Sequence, residues 1–150
     1  MSTPDSSARR STSLRYRLLI WTGLAGLWWS LIFIGTHIPL NMPGGANALD
    51  KVQHAGAFFG LAVLLCAAYE AWRPGREWGY CFVFLAAIAY GGIDEWTQSF
   101  VPYRSSDVRD WLADAGGAAL GVGLMFFFAA CWRSRSASAA AVASADVSTR

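Results

Sequence analysis

The sequence predicts an all-α fold, an integral membrane bundle of four transmembrane helices. Of its 150 residues, 55% are hydrophobic and only 15% are charged, whereas soluble domains carry about 25% charged residues. The charges group into short segments that separate apolar runs, each about the ~20 residues that a helix needs to cross a bilayer. The runs show no alternating ten-residue pattern of the kind found in membrane barrels. Helices are therefore the only spanning elements that we expect.

The apolar runs define the predicted helices in order, over residues 18–38, 54–72, 78–100 and 111–132. The first run has no charged residue, and the second is interrupted only by Glu70 near its end. The acids of the third and fourth runs are confined to one end of each. Residues 1–13 and 133–150 are rich in small and polar residues and poor in aromatics, so we expect disordered cytoplasmic tails there. The membrane domain is predicted over residues 14–132.

Basic residues predict the orientation of these helices. Nine of the 12 Lys and Arg precede the first run, follow the fourth or lie between the second and third, and three lie on the other side. The positive-inside rule therefore places both termini in the cytoplasm. A net charge of +2 is too small for a nucleic-acid interface, so no nucleic acid is expected as a partner. The three cysteines lack CxxC spacing, which indicates neither a disulfide framework nor a zinc site.

Polar residues collect at the predicted outer ends of the second, third and fourth helices. Asp50 and His54 are four residues apart and share one side of their helix. Aspartates 107, 110 and 114 follow one another at three and four residues, which places them on a single stripe if one helix contains them all. Three like charges on one stripe repel one another, so cations or hydrogen-bond donors are expected opposite them.

The depth of these acids indicates that they face inward. An acid costs roughly 2.5–3.5 kcal/mol at the centre of a membrane helix and is normally paired, and Asp94, Glu95 and Asp114 are the deepest. We expect one outer-leaflet binding pocket formed by these residues: Asp50, Lys51, His54, Glu95, Gln98, Arg104, Ser105, Asp107, Asp110 and Asp114. Taken singly, several have structural explanations, such as helix capping by Asp50. Their convergence is what indicates a site, and the sequence indicates no metal ligand set and no cofactor.

Small residues predict how the helices meet. Gly56 and Gly60 in the second helix, and Gly117 and Gly121 in the fourth, form GxxxG motifs that allow backbones to approach closely. Contact there would bring His54 next to the aspartates of the fourth helix. The first helix is expected to pack as a lipid-facing brace that adds no chemistry to the site.

Three motifs follow one another in order between residues 49 and 124. They are Asp50-Lys51-x-x-His54, Glu95-x-x-Gln98 leading to Pro102-x-Arg104-Ser105, and Asp107-x-x-Asp110 with Gly117 and Gly121 after it. Together they resemble the VanZ-like membrane proteins, although that family usually has Asn where this chain has Asp114. The resemblance implies a small multi-pass protein of the bacterial inner membrane. It also implies a link to glycopeptide (teicoplanin) resistance, the phenotype of the founding member.

The pocket supports three functional hypotheses. In the first, it binds an anionic lipid head group or a lipid-linked cell-envelope precursor, with Lys51 and Arg104 holding phosphate. In the second, the protein is a membrane enzyme acting on a lipid-linked phosphate or glycan, with Glu95, His54 and Asp110 as acid-base groups, in one version around a divalent ion. No hydrolase or transferase motif is visible, which favours binding over catalysis.

The third hypothesis is a proton-coupled transport subunit. The inner halves of all four helices carry almost no polar residues, so a pathway would need several copies of the chain. The partners that we expect are membrane lipids or a lipid-linked precursor, with homo-oligomers left open.

Overall fold

The computed structural model of the chain describes residues 6–39, 48–104 and 106–148, and in these ranges it contains helices and no strand. The four helices are α1 (Ser6–His37), α2 (Ala48–Trp72), α3 (Trp78–Gln98) and α4 (Val108–Ser148). The all-α prediction is confirmed. Within the described part, α1, α2 and α4 are long and apolar enough to cross a membrane.

α3 is not among those three helices, although its 21 residues would extend about 31 Å at the α-helical rise. Its last turns contain Asp94 and Glu95, and these acids lower its mean hydropathy. The crossing of the membrane by α3 therefore stays a prediction. So does the placement of both termini in the cytoplasm, which depends on the number of spans.

Two helices extend into the segments that were expected to be disordered tails. α1 already begins at Ser6 and α4 continues to Ser148, so the structure is helical over most of 1–13 and 133–150. Alanine and arginine have high helix propensities, and an existing helix gains one hydrogen bond for each residue that it adds. Residues 1–5 and 149–150 lie outside the described part.

α2 lies at the centre of the bundle, since it contacts α1, α3 and α4. Its closest approach is to α4, where a Cβ atom added to Gly117 would overlap the carbonyl oxygen of Ala55. A Cβ at Gly121 would lie 2.7 Å from the carbonyl oxygen of Phe59. The prediction of close contact through the α4 glycines therefore holds, because any larger residue would hold the two backbones apart.

The glycines of α2 do not make that contact, which corrects the expectation that both motifs meet. A Cβ at Gly56 would have no neighbour within 4 Å, and one at Gly60 would meet the indole ring of Trp28 at 3.0 Å. Gly60 thus accommodates α1 rather than α4. The indole N–H of Trp28 also donates a hydrogen bond of 2.9 Å to the carbonyl oxygen of Ala57, which fixes α1 against α2.

The interior changes in character along the bundle. Near the α2–α3 connection, a cluster of larger side chains includes Cys66, Tyr69 and Tyr80. A layer of alanines follows, at positions 62, 87 and 118. Beyond that layer, the interior at the opposite end of the bundle is polar. We call that end the polar end; it contains residues 35–37 of α1, 50–54 of α2, 94–98 of α3, and 104 and 107–114.

Candidate functional site

Five buried polar side chains form a cluster between α2, α3 and α4 at the polar end. They are Asp94, Glu95, Gln98, Asp110 and Asp114, each no more than 6% exposed. Three come from the last two turns of α3 and two from the first two turns of α4. Because α4 begins at Val108, Asp110 and Asp114 lie four residues apart on one face of it, as the spacing predicted. We call this set, together with His54, the acidic cluster.

His54 connects α2 to this cluster. Its Nδ1 atom lies 3.0 Å from Oδ1 of Asp114, the proximity that the sequence predicted from the glycine motifs of both helices, although only the α4 glycines make the contact. The second carboxylate oxygen of Asp114 is buried and has no hydrogen-bond partner. Glu95 is in the same situation, since its Oε2 accepts the backbone N–H of Asp107 at 3.0 Å while its Oε1 is buried and unpartnered.

Lys51 lies at the rim of the cluster and is engaged by two acids. Its Nζ atom is 2.7 Å from Oδ1 of Asp110 and 3.6 Å from Oδ2 of Asp107. Asp107 caps the start of α4, because its Oδ1 accepts the backbone N–H of Arg109 at 2.8 Å. The N–H of Arg109, with Lys51 nearby, holds the pKa of Asp107 below its ordinary value. Lys51 is thus engaged by these two acids; its role in holding a phosphate, which the first hypothesis expects, stays a prediction.

α1 contributes polar groups to the site, which corrects its expected role as a brace. The Thr36 hydroxyl donates to Oδ1 of Asp94 at 3.2 Å, and the Tyr90 hydroxyl donates to the same oxygen at 3.2 Å. Gln98 donates its side-chain amide to the other oxygen at 3.3 Å, and His37 lies 4.0 Å from Asp94. Asp94, left out of the predicted pocket, is therefore the best-satisfied acid of the cluster. The Thr36-His37 pair at the end of a largely apolar run signals that this end of α1 is polar, but it does not identify Asp94 as the partner.

The cavity next to the cluster lies between α1 and α2. From the sequence, we expected it among α2, α3 and α4. Asp110 and Asp114 of α4 pair with Lys51 and His54 of α2, whereas the space opens where α1 faces α2. The cleft has a volume of about 350 Å³, and its lining residues are Trp28, Leu31, Ile32, Gly35, Thr36, Asp50, Gln53, His54, Ala57, Phe58 and Arg104. His54 belongs to both the cleft and the acidic cluster.

Arg104 closes the polar end of this cleft. Its Nη2 donates a hydrogen bond of 2.8 Å to the carbonyl oxygen of Gly35. Its Nε is buried and has no hydrogen-bond partner. A guanidinium group that lines a cavity and keeps one N–H without a hydrogen-bond partner has donor capacity left for an anionic ligand.

The structure thus divides the predicted site residues into three groups. His54, Glu95, Gln98, Asp110 and Asp114 belong to the acidic cluster, Lys51 and Asp107 form its rim, and Asp50, His54 and Arg104 line the cleft. Ser105 lies outside the described residues. Two sets of side chains have ligand atoms within 4.8 Å of one another and could hold a cation: Asp50 with His54 and Asp110, and His54 with Glu95 and Asp114.

The comparisons with known proteins support the resemblance seen in the motifs. The sequence model of the VanZ/LLP1 family matches residues 3–129, a range that contains α2, α3, the acidic cluster and the cleft. No curated protein and no solved structure matches the chain. Since the family match covers most of the sequence, and the motifs that carry the resemblance lie within it, the chain belongs to the VanZ/LLP1 family.

Proposed function

We propose that this VanZ-family membrane protein binds the phosphate-bearing head group of an anionic lipid, or of a lipid-linked cell-envelope precursor, in the cleft between α1 and α2. The observation that carries the proposal is the position of Arg104. Its guanidinium group lies at the polar end of the cleft with Nε buried and unpartnered. The planar guanidinium matches the geometry of phosphate oxygens, which accept two of its N–H groups at once.

The distribution of polarity along the cleft supports a lipid rather than a water-soluble ligand. On α1 the lining changes from Trp28 and Leu31 to Thr36, and on α2 it changes from Phe58 to Asp50 towards the same end. A lipid has the same arrangement, with an acyl chain on one side and a polar head on the other. The volume of about 350 Å³ lies within the usual range of ligand pockets, about 300–1,000 Å³.

The other polar lining residues would recognise the rest of the head group. Gln53 and Asp50 stand on α2 at the polar end of the cleft, where an amide and a carboxylate are suited to hydroxyl or amine groups. Lys51 would act indirectly, because it offsets part of the charge of Asp110 and Asp107 and so reduces the repulsion that an anionic ligand would meet.

The proposal includes the location of the site. The distribution of Lys and Arg favours cytoplasmic termini, which would place the polar end at the outer leaflet of a bacterial inner membrane. Lipid-linked precursors of the cell wall are exposed there to glycopeptide antibiotics. A protein that holds such a precursor would alter its availability to teicoplanin, which is how the proposal connects to glycopeptide resistance.

The test measures lipid binding by the purified full-length chain in nanodiscs. Native mass spectrometry identifies co-purifying lipids, and a titration with a polyprenyl phosphate or an anionic phospholipid gives the affinity. Arg104→Ala should weaken phosphate-lipid binding by about tenfold or more, since a hydrogen bond to a charged group contributes about 1.5–3 kcal/mol. Arg109→Ala is the matched control, because Arg109 lies near the same connection but does not line the cleft. Equal affinities of Arg104→Ala and the wild type would contradict the proposal.

A second candidate function is catalysis at the same place. His54 is hydrogen-bonded to Asp114 and also lines the cleft, so its imidazole has the oriented geometry of a general base. In this version the protein would cleave a lipid-linked phosphate or glycan. Release of product from a labelled lipid substrate, lost in Glu95→Gln and His54→Gln but retained in Arg109→Ala, would support it. Intact substrate after prolonged incubation with the wild type would contradict it.

A further inference from the structure

The acidic cluster brings together more negative groups than positive ones. Asp94, Glu95, Asp110 and Asp114 are all buried. Lys51 pairs with Asp110, whereas Arg104 is directed to a backbone carbonyl group. A buried carboxylate is costly unless it is paired and hydrogen-bonded. The acids that Lys51 does not reach therefore need a proton, a protonated His54 or a bound cation as balancing positive charge.

The unsatisfied atoms show where that charge is missing. Glu95 and Asp114 are 4% and 0% exposed, and each has one buried oxygen without a hydrogen-bond partner. Asp94 does not share this feature, because Thr36, Tyr90 and Gln98 supply donors to both of its oxygens. Within the acidic cluster, the free acceptor positions thus belong to Glu95 and Asp114, whose ligand atoms lie within 4.8 Å of that of His54.

We infer that His54, Glu95 and Asp114 form a binding site for a divalent transition-metal ion of the Zn²⁺ or Mn²⁺ type. The ligand atoms of these three side chains all lie within 4.8 Å of one another. Metal–ligand bonds of about 2.0–2.2 Å place neighbouring ligand atoms roughly 3.4 Å apart. Side-chain movements of about 1 Å would close the set around one ion, and coordination would replace the hydrogen bond between His54 and Asp114.

The neighbouring set of Asp50, His54 and Asp110 is the weaker candidate. Asp110 already accepts a hydrogen bond of 2.7 Å from Lys51, so a cation there would have to displace an ammonium group. Asp50 is only half-buried, and none of its atoms is a buried, unpartnered one. The set of His54, Glu95 and Asp114 has two unpartnered acceptor oxygens and, among the described residues, no Lys or Arg within ion-pair distance.

The ligand chemistry selects the class of ion. One imidazole nitrogen with two carboxylates suits Zn²⁺ or Mn²⁺ better than Mg²⁺, which prefers oxygen ligands and retains several waters. Three protein ligands leave a position on the ion for a water or another ligand, and His54 borders the cleft, which gives the ion a route of entry. The inference rests on the acidic cluster alone and does not depend on lipid binding in the cleft.

The test uses the purified full-length chain in detergent, freed of metal by a chelator and then titrated with Co²⁺ as a spectroscopic probe. We expect one equivalent of Co²⁺ with visible absorption from ligand coordination, displacement by Zn²⁺, and a thermal midpoint that rises with metal concentration. His54→Gln, Glu95→Gln and Asp114→Asn should each weaken binding at least ~10-fold. Glu70→Gln at the opposite end of the bundle and Asp50→Asn should retain wild-type affinity.

The test remains decisive even if a variant fails to fold, because the titration of the wild-type protein shows by itself whether a metal ion binds. A wild-type protein that binds neither Co²⁺, Zn²⁺ nor Mn²⁺ above the background of metal-free detergent would overturn the inference. So would an Asp50→Asn protein that loses binding while Asp114→Asn keeps it, since the ion would then belong to the neighbouring set. Lipid affinities measured with and without Zn²⁺ separate this result from the proposed function.

Discussion

Replacing Gly117 by alanine should destabilise the protein, although alanine is the better helix-forming residue. The added Cβ atom would overlap the carbonyl oxygen of Ala55 and lie 2.7 Å from its carbonyl carbon. Carbon atoms in contact are normally about 3.5–4.0 Å apart, so α2 and α4 would have to separate by roughly 1 Å. The atoms that Gly117 meets belong to the backbone of α2 and have no rotamer that would move them away.

The magnitude follows from three effects. Overpacking of this kind costs about 1–3 kcal/mol, whereas the higher helix propensity of alanine returns about 1 kcal/mol. The separation also acts on the nearby contact between His54 and Asp114, now 3.0 Å, and the loss of a hydrogen bond to a charged group costs about 1.5–3 kcal/mol. We expect a net decrease of about 1.5–5 kcal/mol in the free energy of unfolding.

Gly116→Ala is the matched control, because a Cβ at Gly116 would have no neighbour within 4 Å. This neighbouring substitution should leave the protein equally stable or up to about 1 kcal/mol more stable. Unfolding in detergent micelles by titration with sodium dodecyl sulfate, followed by tryptophan fluorescence and circular dichroism, measures both variants under the same conditions. If Gly117→Ala were as stable as Gly116→Ala, the close packing of α2 on α4 would be refuted.

Two other perturbations test the hydrogen bonds around the site. Thr36→Val keeps the shape of the side chain but removes the donor to Asp94, so the free energy of unfolding should fall by about 1–3 kcal/mol. Thr22→Val is the control, because the hydroxyl of Thr22 bonds only carbonyl groups of its own helix. It should change the free energy of unfolding little in the same titration. Asp107 has a pKa below its ordinary value of 3.8, so its contribution is present above that pH and is lost as pH falls through the lower folded value. Asp107→Asn should remove this part of the acid sensitivity. The measurement is the free energy of unfolding of both proteins from neutral to strongly acidic pH. Parallel pH profiles of the two proteins would contradict the capping role.

Much of the architecture could be predicted because lipid imposes simple rules on a chain. Apolar runs of spanning length could only be helices, and the family match agrees with motifs read from residues 49–124. Spacing along α2 and α4 correctly placed His54 beside Asp114, since both helices are regular and the α4 glycines fix how they meet. These inferences needed only the period of a helix and one close contact.

What the sequence missed depends on how faces of different helices meet. Nothing in α1 alone indicates that Thr36 points at Asp94 or that Gly35 offers its carbonyl oxygen to Arg104, because the rotation of a helix about its axis is set by packing. The same cause moved the cavity to the α1 side of α2. The GxxxG motif of Gly56 and Gly60 shows that spacing alone does not identify the helix that a motif contacts. It has the same spacing as Gly117 and Gly121, but Gly60 faces Trp28 of α1 and the α4 glycines face the backbone of α2.

The uneven hydropathy of the helices has a consequence for biogenesis. α1, α2 and α4 are apolar enough to partition into a bilayer one at a time, whereas α3 carries Asp94 and Glu95 into its last turns. A chain that places α3 across the membrane must therefore deliver it from the translocon together with its neighbours, so that Thr36 and the start of α4 shield the acids as they leave water. Completion of the acidic cluster and integration of the last spans would then be the same event.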